Sequence, residues 1–377
     1  MKGIFNSKWF GWLTLAIIVG YFIVGFWPFD FRPLNRVNWP ANQSGLQFGN
    51  NGIAYDPIPL AFSESNETNA GAADFSAEIR LAADSEPDDD VFNILTIYNS
   101  DLPDDFVFCQ WKHEFLFRAA ITHPFVHHIS EIGISDALPL GKTHFIAIRG
   151  GAVGTDLFLD GSPKGHFPGF VLRPNALDGQ LILGNDDSGK HSWSGRLFGL
   201  ALFNRRLDTA EIAAHRELWT SGNARQLTNA PGLTALYLFD EGGGQQVKDL
   251  SGNRHRVVIP EIFQPLHRRV LIPPWKDLAY NNTPDYSDIA VNILGFIPFG
   301  FCFSIYRRAV APNRQTTNFL FVMLAGFAIS LTIELIQVWL PNRTSSMTDL
   351  LTNTTGTLIG VMLAVRCRRF FARKSEA

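Results

Sequence analysis

The chain has 377 residues, of which 46% are hydrophobic and 18% are charged, and its formal net charge is −3. This length is sufficient for two folding units, and the apolar residues concentrate toward the two ends of the chain. The near-neutral charge gives no reason to expect binding of nucleic acid, which requires a basic face. The three cysteines, Cys109, Cys302 and Cys367, lie in different environments, which excludes a framework of internal disulfides.

The first predicted element is an apolar helix from Trp9 to Trp27, preceded by Lys2 and Lys8. A run of about nineteen apolar residues is long enough for one tilted membrane crossing. A cleaved signal peptide is the alternative. However, the run is longer than a typical signal core, and bulky Phe and Trp stand where small cleavage-site residues are needed. We therefore predict a cytoplasmic N-terminus and an uncleaved membrane anchor within residues 1–33.

Residues 34–259 are predicted to form an all-β sandwich or jelly roll. Short runs of β-type composition recur there between Gly, Pro, Asn and Asp residues, as is typical of such domains. The predicted strands are Phe75–Leu81, Phe92–Tyr98, Phe106–Trp111, His144–Ile148, Asp156–Leu159, Gln180–Leu183, Arg196–Phe203 and Ala235–Phe239. One helix interrupts them, because Asp208 and Glu211 form a capping-box pattern ahead of an apolar run.

Residues 260–285 are predicted to be a linker that leads to the membrane. Several prolines interrupt regular structure in this segment. It also contains Trp275 and Tyr280, whose amphipathic rings suit a membrane–water interface.

Residues 286–366 contain three further hydrophobic spans, and residues 367–377 form a basic tail. In an arrangement of four crossings, all clusters of basic residues next to the spans fall on one side of the membrane, which is the cytoplasmic side. These residues are Lys2, Lys8, Arg307, Arg308, Arg314, Arg366, Arg368, Arg369, Arg373 and Lys374. We expect a multi-pass protein of a bacterial-type cell membrane, with both termini in the cytoplasm and the jelly roll outside it.

Strongly polar residues occur in or beside all four predicted spans, near the outer surface. They are Asp30 and Arg32 after the first span, Asp288 and Asn292 in the second, Glu334 and Gln337 in the third, Arg343 in the following loop, and Asp349 and Asn353 in the fourth. Because they fall at one depth, they predict one shared polar cavity. A carboxylate at membrane depth costs at least about 2.5 kcal/mol unless it faces a protein interior or water. Glu334 is therefore the strongest candidate for a functional group.

A structural role for these residues is the alternative. Polar side chains can join membrane helices through hydrogen bonds worth about 1 kcal/mol each. Asp349 could cap the last helix, and Gly356 with Gly360 forms a small-residue packing face. Glu334 could form a structural ion pair with Arg343. Packing or capping does not require a carboxylate at this depth, so we favour a functional role for Glu334.

Four blocks in the C-terminal region resemble the VanZ-like membrane proteins, in the order and spacing typical of that family. The blocks run from Asp288 to Gly300, from Ser330 to Gln337, from Pro341 to Arg343 and from Asp349 to Gly356. The Pro-Phe-Asp-Phe sequence that ends the first span is also similar to the first helix of that family. This resemblance implies a bundle of four membrane helices and an association with resistance to teicoplanin-type glycopeptides.

The middle region resembles laminin-G-like, concanavalin-type jelly rolls. The similar phrases are Leu157–Gly161, Leu183–Asn185, Trp193–Phe203, Leu238–Gly244 and Asp249–Asn253. The resemblance implies an inserted module that binds carbohydrate or protein, with calcium at loop carboxylates as an option. The last two phrases usually open such a module but lie near its end here, so the strand order is left open.

Two functions are considered for the membrane part. It either binds an envelope amphiphile at the outer leaflet, such as a lipid-linked precursor or a lipoglycopeptide, or acts on a lipid headgroup with Glu334 or Asp349 as general base. Catalysis would need a nucleophile or a metal beside the carboxylates. The spans contain no histidine and no metal-ligand spacing. We therefore favour binding over catalysis.

Glycan cleavage by the jelly roll is a third hypothesis. Retaining glycosidases place two carboxylates about 5 Å apart. The nearest candidates are Asp156 and Asp160, and their spacing next to Gly161 is typical of a turn. We therefore expect a module that binds a surface glycan or a protein. Simple adhesion or anchoring is the remaining alternative, and Glu334 would then be dispensable.

Overall fold

The computed structural model describes residues 7–41, 43–62, 74–86, 90–99, 106–121, 128–173, 176–275, 286–341 and 343–373. The chain forms two compact units. The helical unit consists of Met1–Phe31 and His267–Ala377, and the sandwich unit consists of Arg32–Leu266.

Four long helices form the helical unit, and a shorter one belongs to the sandwich unit. They are α1 (Ser7–Phe26), α2 (Thr209–Thr220, in the sandwich), α3 (Tyr286–Val310), α4 (Gln315–Gln337) and α5 (Met347–Arg373). Each of the four long helices is sufficiently long and apolar to cross a membrane, as predicted. The chain is therefore a membrane protein. Helix α5 continues to Arg373, into the segment expected to be a basic tail.

Contacts between small residues and their neighbours give the directions of the long helices. A Cβ atom at Gly356 would meet the carbonyl oxygen of Ile293 at 2.2 Å, and one at Gly360 would meet that of Ile297 at 2.2 Å. These contacts advance together along α3 and α5, so the two helices run parallel. Glycine is needed at both positions because the backbones approach so closely. The predicted small-residue packing face is thus present between α5 and α3.

The remaining contacts place four helix ends together. The Tyr21 hydroxyl of α1 donates to the carbonyl oxygen of Gly295 in α3 at 2.7 Å. Asn353 of α5 donates to Ser330 of α4 at 3.0 Å, and Gln337 at the end of α4 donates to the carbonyl oxygen of Gly25 at 3.0 Å. The ends of α1 and α4 therefore lie at the same end of the bundle as the starts of α3 and α5. We call this the polar end.

The sandwich unit consists of two antiparallel eight-stranded sheets. Its strands are β1 (Val37–Asn38), β2 (Leu46–Phe48), β3 (Ala54–Tyr55), β4 (Phe75–Ala83), β5 (Phe92–Tyr98), β6 (Phe106–Trp111), β7 (Glu114–Ile121), β8 (His128–Ile134), β9 (Thr143–Gly150), β10 (Thr155–Leu159), β11 (Ser162–Phe167), β12 (Gln180–Leu183), β13 (Gly195–Phe203), β14 (Leu233–Tyr237), β15 (Gln246–Lys248) and β16 (Arg256–Val258). The first sheet has the order β1-β2-β13-β4-β9-β10-β11, with β14 beside β13. The second has the order β15-β16-β3-β12-β5-β6-β7-β8. An all-β sandwich is what the sequence predicts.

The core between the sheets is rich in phenylalanine. Phe75, Phe106, Phe108 and Phe117 are fully buried, and their ring centroids lie 4.8 to 6.2 Å apart in the contacts that they form with one another. Such aromatic pairs add stability beyond the burial of their area. Alternation along β6 places Phe106 and Phe108 in this core and Val107 and Cys109 on the opposite face, where they form a smaller apolar cluster with Leu116.

Helix α2 packs on the outer face of the first sheet. Asp208 and Glu211 form the predicted capping box at its start. Glu78 of β4 is fully buried beneath the helix, where Oε1 lies 2.7 Å from His215 Nδ1 and Oε2 accepts from Trp219 Nε1 at 2.9 Å. Two partners from the helix thus hold one buried carboxylate of the sheet.

The segment expected to be a linker contributes to both units where it is described. Phe263 is fully buried in a cluster with Ile53 and Ile182 of the sandwich. Further along, Ile272 forms a parallel bridge with Ser346, just before α5. Residues 276–285, including Tyr280, lie outside the described residues.

Candidate functional site

Glu334 lies at the polar end and is only 2% exposed. Its Oε2 atom accepts a hydrogen bond of 2.7 Å from the backbone N–H of Ser346. Ser346 is the residue before α5, and its hydroxyl accepts from the N–H of Thr348 at 3.0 Å. The carboxylate therefore faces the positive end of the α5 dipole and binds a backbone donor that has no partner within the helix. This offsets part of the cost of burying the charge.

A second buried polar group lies one layer deeper between α4 and α5. Asn353 is 6% exposed, and its side-chain nitrogen donates to the hydroxyl of fully buried Ser330. The side-chain oxygen of Asn353 is buried without a hydrogen-bond partner among the described residues. A buried amide oxygen without a donor costs about 1–3 kcal/mol. This oxygen is therefore an unsatisfied acceptor at the polar end.

Gln337 and Arg343 bind the end of α1. Gln337 donates to the carbonyl oxygen of Gly25, and Arg343 Nη2 lies 3.4 Å from the carbonyl oxygen of Val24 and 3.3 Å from that of Trp27. The last carbonyl groups of a helix have no partner within it and attract cations.

The ion pair considered between Arg343 and Glu334 is not formed in the described part of the chain. Arg343 binds these carbonyl groups instead, and Glu334 binds the start of α5.

The other predicted residues are more exposed. Asp288 is exposed in the first turn of α3, while Asn292 and, in the first turn of α5, Asp349 are half-buried. Asp30 is exposed after α1, and Arg32 belongs to the sandwich unit. The structure thus brings Glu334 and Asn353 to the α4–α5 junction and Gln337 and Arg343 to α1. The other residues surround this centre or lie outside the helical unit.

Three contributors to this region were not predicted as site residues. Ser330 and Ser346 bind Asn353 and Glu334, and the hydroxyl of Thr357 donates to the carbonyl oxygen of Asn353 at 3.1 Å. Ser330 precedes Glu334 by four residues, so helical spacing could have indicated Ser330. The role of Ser346 depends on a backbone N–H, for which the sequence carries no signal.

A strap of residues lies beside Glu334. The N–H of Ile272 donates to the carbonyl oxygen of Ser345 at 2.9 Å, and the N–H of Met347 donates to that of Ile272 at 2.9 Å. Nearby, the guanidinium carbon of Arg268 lies 4.0 Å from the ring centroid of Trp339. The strap, defined as residues 268–272, holds the loop that presents Ser346 to the carboxylate.

The two carboxylates considered for glycan cleavage are engaged in other contacts. The Asp156 Oδ2 atom lies within 2.7 Å of Arg149 Nε and Arg206 Nη2. Its Oδ1 atom lies 2.6 Å from His166 Nδ1. Burial alone would raise the pKa of the Asp156 carboxyl. Hydrogen bonds from Arg149 and His166 and the charge of Arg206 outweigh this effect, so the pKa lies below its usual value.

Asp160 has a φ of 50° in the turn between β10 and β11, and its side chain contacts His144 at 2.8 Å. Asp156 thus belongs to an ion-pair network. Asp160 lies in a hairpin turn, as the sequence indicated. Neither arrangement resembles a free pair of catalytic acids.

No group of three or more metal-ligating side chains is found within the described ranges. The buried acid Asp186 is bound by Ser188 and His191 of its own loop.

Comparisons with known proteins match two regions of the chain. Residues 234–369 match the VanZ/LLP1 family, and residues 65–213 match the concanavalin A-like lectin/glucanases superfamily. No curated protein matches the chain in sequence.

Several solved structures are similar to part of this chain. One is a Bacteroides ovatus protein proposed to bind carbohydrate, with 12% identity and a TM-score of 0.40 over 58% of this chain and 58% of that chain. Another is the Trypanosoma rangeli sialidase in complex with sialic acid, with 18% identity and a TM-score of 0.37 over 51% of this chain and 30% of that chain. A third is the heptameric SAP-like pentraxin from Limulus polyphemus, with 13% identity and a TM-score of 0.35 over 62% of this chain and 99% of that chain.

The chain thus spans little more than half of the first of these proteins and less than a third of the second. From its two matched regions, this membrane protein combines a VanZ-like helical domain with a concanavalin A-like, laminin-G-type sandwich.

Proposed function

We propose that the polar end binds the headgroup of an envelope amphiphile at the outer leaflet, such as a lipid-linked precursor or a lipoglycopeptide. The observation that carries this proposal is Glu334, a carboxylate that is 2% exposed in a helix long and apolar enough to cross a membrane. The unpartnered side-chain oxygen of Asn353 supports it, because that oxygen could accept from a ligand donor. The hydrogen bond from the Ser346 N–H offsets part of the cost of burying Glu334. An uncharged oxygen could accept the same bond, so this bond does not by itself require a carboxylate.

Binding is favoured over catalysis. A general base acting on a headgroup would need a nucleophile or a metal next to Glu334 or Asp349. The contacts that favour binding are the backbone N–H of Ser346 on Glu334 and the amide of Asn353 on the Ser330 hydroxyl. These groups are suited to holding a polar headgroup by hydrogen bonds.

The substitution Glu334→Gln tests the role of the charge. Glutamine keeps an oxygen that can accept from Ser346, so we expect the helix packing to remain intact while binding of a cationic or hydrogen-bond-donating headgroup weakens. The readout is the sensitivity of the host to teicoplanin-type drugs, with the variant and the wild type matched for membrane expression. Thr332→Ala is the matched control, since Thr332 is exposed on the same helix and donates to the carbonyl oxygen of Ala328 within that helix. Wild-type protection in Glu334→Gln would refute the proposal.

We also propose that the sandwich lies outside the cytoplasm, where it binds a surface glycan or a protein, and that both termini are cytoplasmic. Cys367 supplies a native probe, because it is exposed while Cys109 and Cys302 are buried. A membrane-impermeant thiol reagent should label Cys367 only after the cells are permeabilised. A cysteine introduced at exposed Lys142 should be labelled in intact cells. The reverse pattern would contradict this orientation.

A further inference from the structure

Two arginines share one aromatic ring on the outer face of the first sheet. The guanidinium carbon of Arg80 in β4 lies 5.1 Å from the centroid of the Phe198 ring, and that of Arg196 in β13 lies 5.9 Å from it. Ile79 and Leu81 point into the main core, so Arg80 between them projects from the opposite face. All three side chains of this cluster are half-buried. We call it the arginine–phenylalanine cluster.

Among the residues that the structure describes, neither guanidinium of the cluster is neutralised by an acid. Within the described ranges, no carboxylate forms an ion pair with Arg80 or Arg196. Arg196 donates to the side-chain oxygens of Gln43 and Gln47, which are uncharged. The nearby acid Asp84 accepts from Gln47 at 2.6 Å, so the amide of Gln47 stands between Asp84 and Arg196.

Other arginines of the sandwich differ from these two. Six of them bind a carboxylate directly: Arg118, Arg149, Arg205, Arg206, Arg216 and Arg225. Half-buried cations without an acid partner are costly, because burial removes water without supplying a counter-charge. Burial accordingly lowers the pKa of the Arg80 guanidinium. The cluster thus retains an unmet preference for an anion.

The cluster is held in place by the turn before β2. Gly45 has a φ of +96°, and a Cβ atom at this position would lie 3.0 Å from Arg196 Cγ and 3.0 Å from Phe198 Cδ1. The absence of a side chain lets the turn pack against the arginine stem and the ring. Side chains that are already ordered lose less conformational entropy when a ligand binds.

We propose that the arginine–phenylalanine cluster binds an anionic group of a glycan, either a carboxylate or a phosphate. Guanidinium groups bind both anions with pairs of parallel hydrogen bonds, and their planar faces stack on aromatic rings. This site deepens the proposed function, because it rests on the sandwich being a glycan-binding module, and it assigns the acidic glycans as the ligand class.

The test measures binding of three polymers to the full chain in detergent micelles. Oligogalacturonate supplies carboxylates, poly(glycerol phosphate) supplies phosphates, and dextran is the neutral probe. We expect at least one anionic probe to bind more tightly than dextran, with an affinity that falls as salt increases. The anionic probe that binds identifies the source of the anion. Arg80→Gln and Arg196→Gln should each weaken its binding about tenfold or more, since hydrogen bonds to charged groups are lost.

Matched variants separate a defined site from general charge attraction. Arg225→Gln makes the same change in net charge at an exposed arginine that is paired with Asp240, so it should bind as the wild type does. Arg196→Lys keeps the charge but loses the planar fork, and should weaken binding less than Arg196→Gln. An equal loss in Arg225→Gln would overturn the site. If Arg80→Gln fails to fold, as judged by its thermal melt, Arg196→Gln decides.

The outcomes also separate this site from the proposed function. Anionic binding that survives both substitutions, or binding of dextran alone, refutes the site and leaves the glycan-binding module standing. Binding of none of the three polymers counts against the site and the module alike.

Discussion

Two buried carboxylates of the sandwich and the polar end of the helical unit differ in the partners of their polar groups. In the sandwich, Glu78 and Asp56 are fully buried and contact histidine and aromatic side chains from distant strands or from a helix. In the helical unit, Glu334 binds a backbone N–H, and Asn353 keeps an oxygen without a partner among the described residues. Satisfied side-chain networks fix a fold, whereas a buried acceptor without a donor leaves one hydrogen bond unformed. The following predictions test this contrast, starting with the largest expected effect.

Glu78→Ala should produce the largest loss of stability. The change removes two hydrogen bonds, leaves His215 and Trp219 without their buried partner, and opens a cavity. We expect the free energy of unfolding of the sandwich to fall by about 3 kcal/mol or more. Denaturant unfolding of the full chain in micelles, followed by tryptophan fluorescence, measures this. Glu217→Ala is the control, because its side chain is 69% exposed, and it should change stability by less than about 0.5 kcal/mol. Similar losses in both variants would contradict the structural role of Glu78.

Gly356→Ala should weaken the contact between α3 and α5. The added methyl would meet the carbonyl oxygen of Ile293 at 2.2 Å, which is backbone and cannot rotate away. We expect a loss of about 1–3 kcal/mol from overpacking, seen as a lower melting temperature of the helical circular dichroism signal. Gly295→Ala is the matched control, since a Cβ atom at this position has no heavy atom within 4 Å. Equal melting temperatures for the two variants would argue against this packing.

The pair of His255 and Asp56 should make the sandwich less stable at high pH. The hydrogen bond to Asp56, 3.0 Å from His255 Nδ1, raises the pKa of His255 above 6.5 despite the opposing effect of burial. The folded state therefore binds this proton more tightly than the unfolded state does. Its stabilisation is complete below pH 6.5 and is lost as the pH rises through the raised pKa.

Melting temperatures of the β signal between pH 6 and pH 9 test this, and His255→Gln should flatten the curve. A carboxyl that titrates far lower cannot explain such a change. Burial raises the pKa of the Asp186 carboxyl, but hydrogen bonds from His191 and Ser188 prevail and hold it at about 2. The prediction would be wrong if the slope were the same in His255→Gln.

Asn353→Ala should have the smallest effect on stability and a clear effect on function. The change loses the hydrogen bond to Ser330 but also removes the unpartnered oxygen, so we expect less than about 1 kcal/mol. Protection against teicoplanin-type drugs should nevertheless fall. Thr355→Ala, an exposed position on the same helix, is the control. Unchanged protection in Asn353→Ala would exclude this oxygen from ligand binding.

Local patterns explain why much of the fold could be predicted. The eight predicted strands overlap β4, β5, β6, β9, β10, β12, β13 and β14, since apolar runs between turn residues are local signals. The capping box at Asp208 and Glu211 and the four apolar helices are local in the same sense. The short strands β1, β2, β3, β15 and β16 were missed, because two or three residues cannot show alternation. Strands β7, β8 and β11 were missed as well.

The candidate site was predictable as a set of residues but not as a set of contacts. Spacing along the helices indicated Glu334 and Asn353. Glu334 accepts from the backbone N–H of Ser346. Every residue except proline carries a backbone N–H, so the type of side chain does not predict this contact. Arg343 has the charge expected of a partner for Glu334, yet it binds carbonyl groups at the end of α1. These contacts depend on which helix ends lie next to each other in the folded bundle.

The strap has a mechanical consequence. Ile272 is joined to the start of α5 by two backbone hydrogen bonds, on the N–H and on the carbonyl group of the same residue. A chain pulled from the side of residues 260–266 therefore loads these two bonds before the load can reach residues 276–285 and α3. Along this connection, force thus reaches the loop that presents Ser346 to Glu334 before it reaches α3.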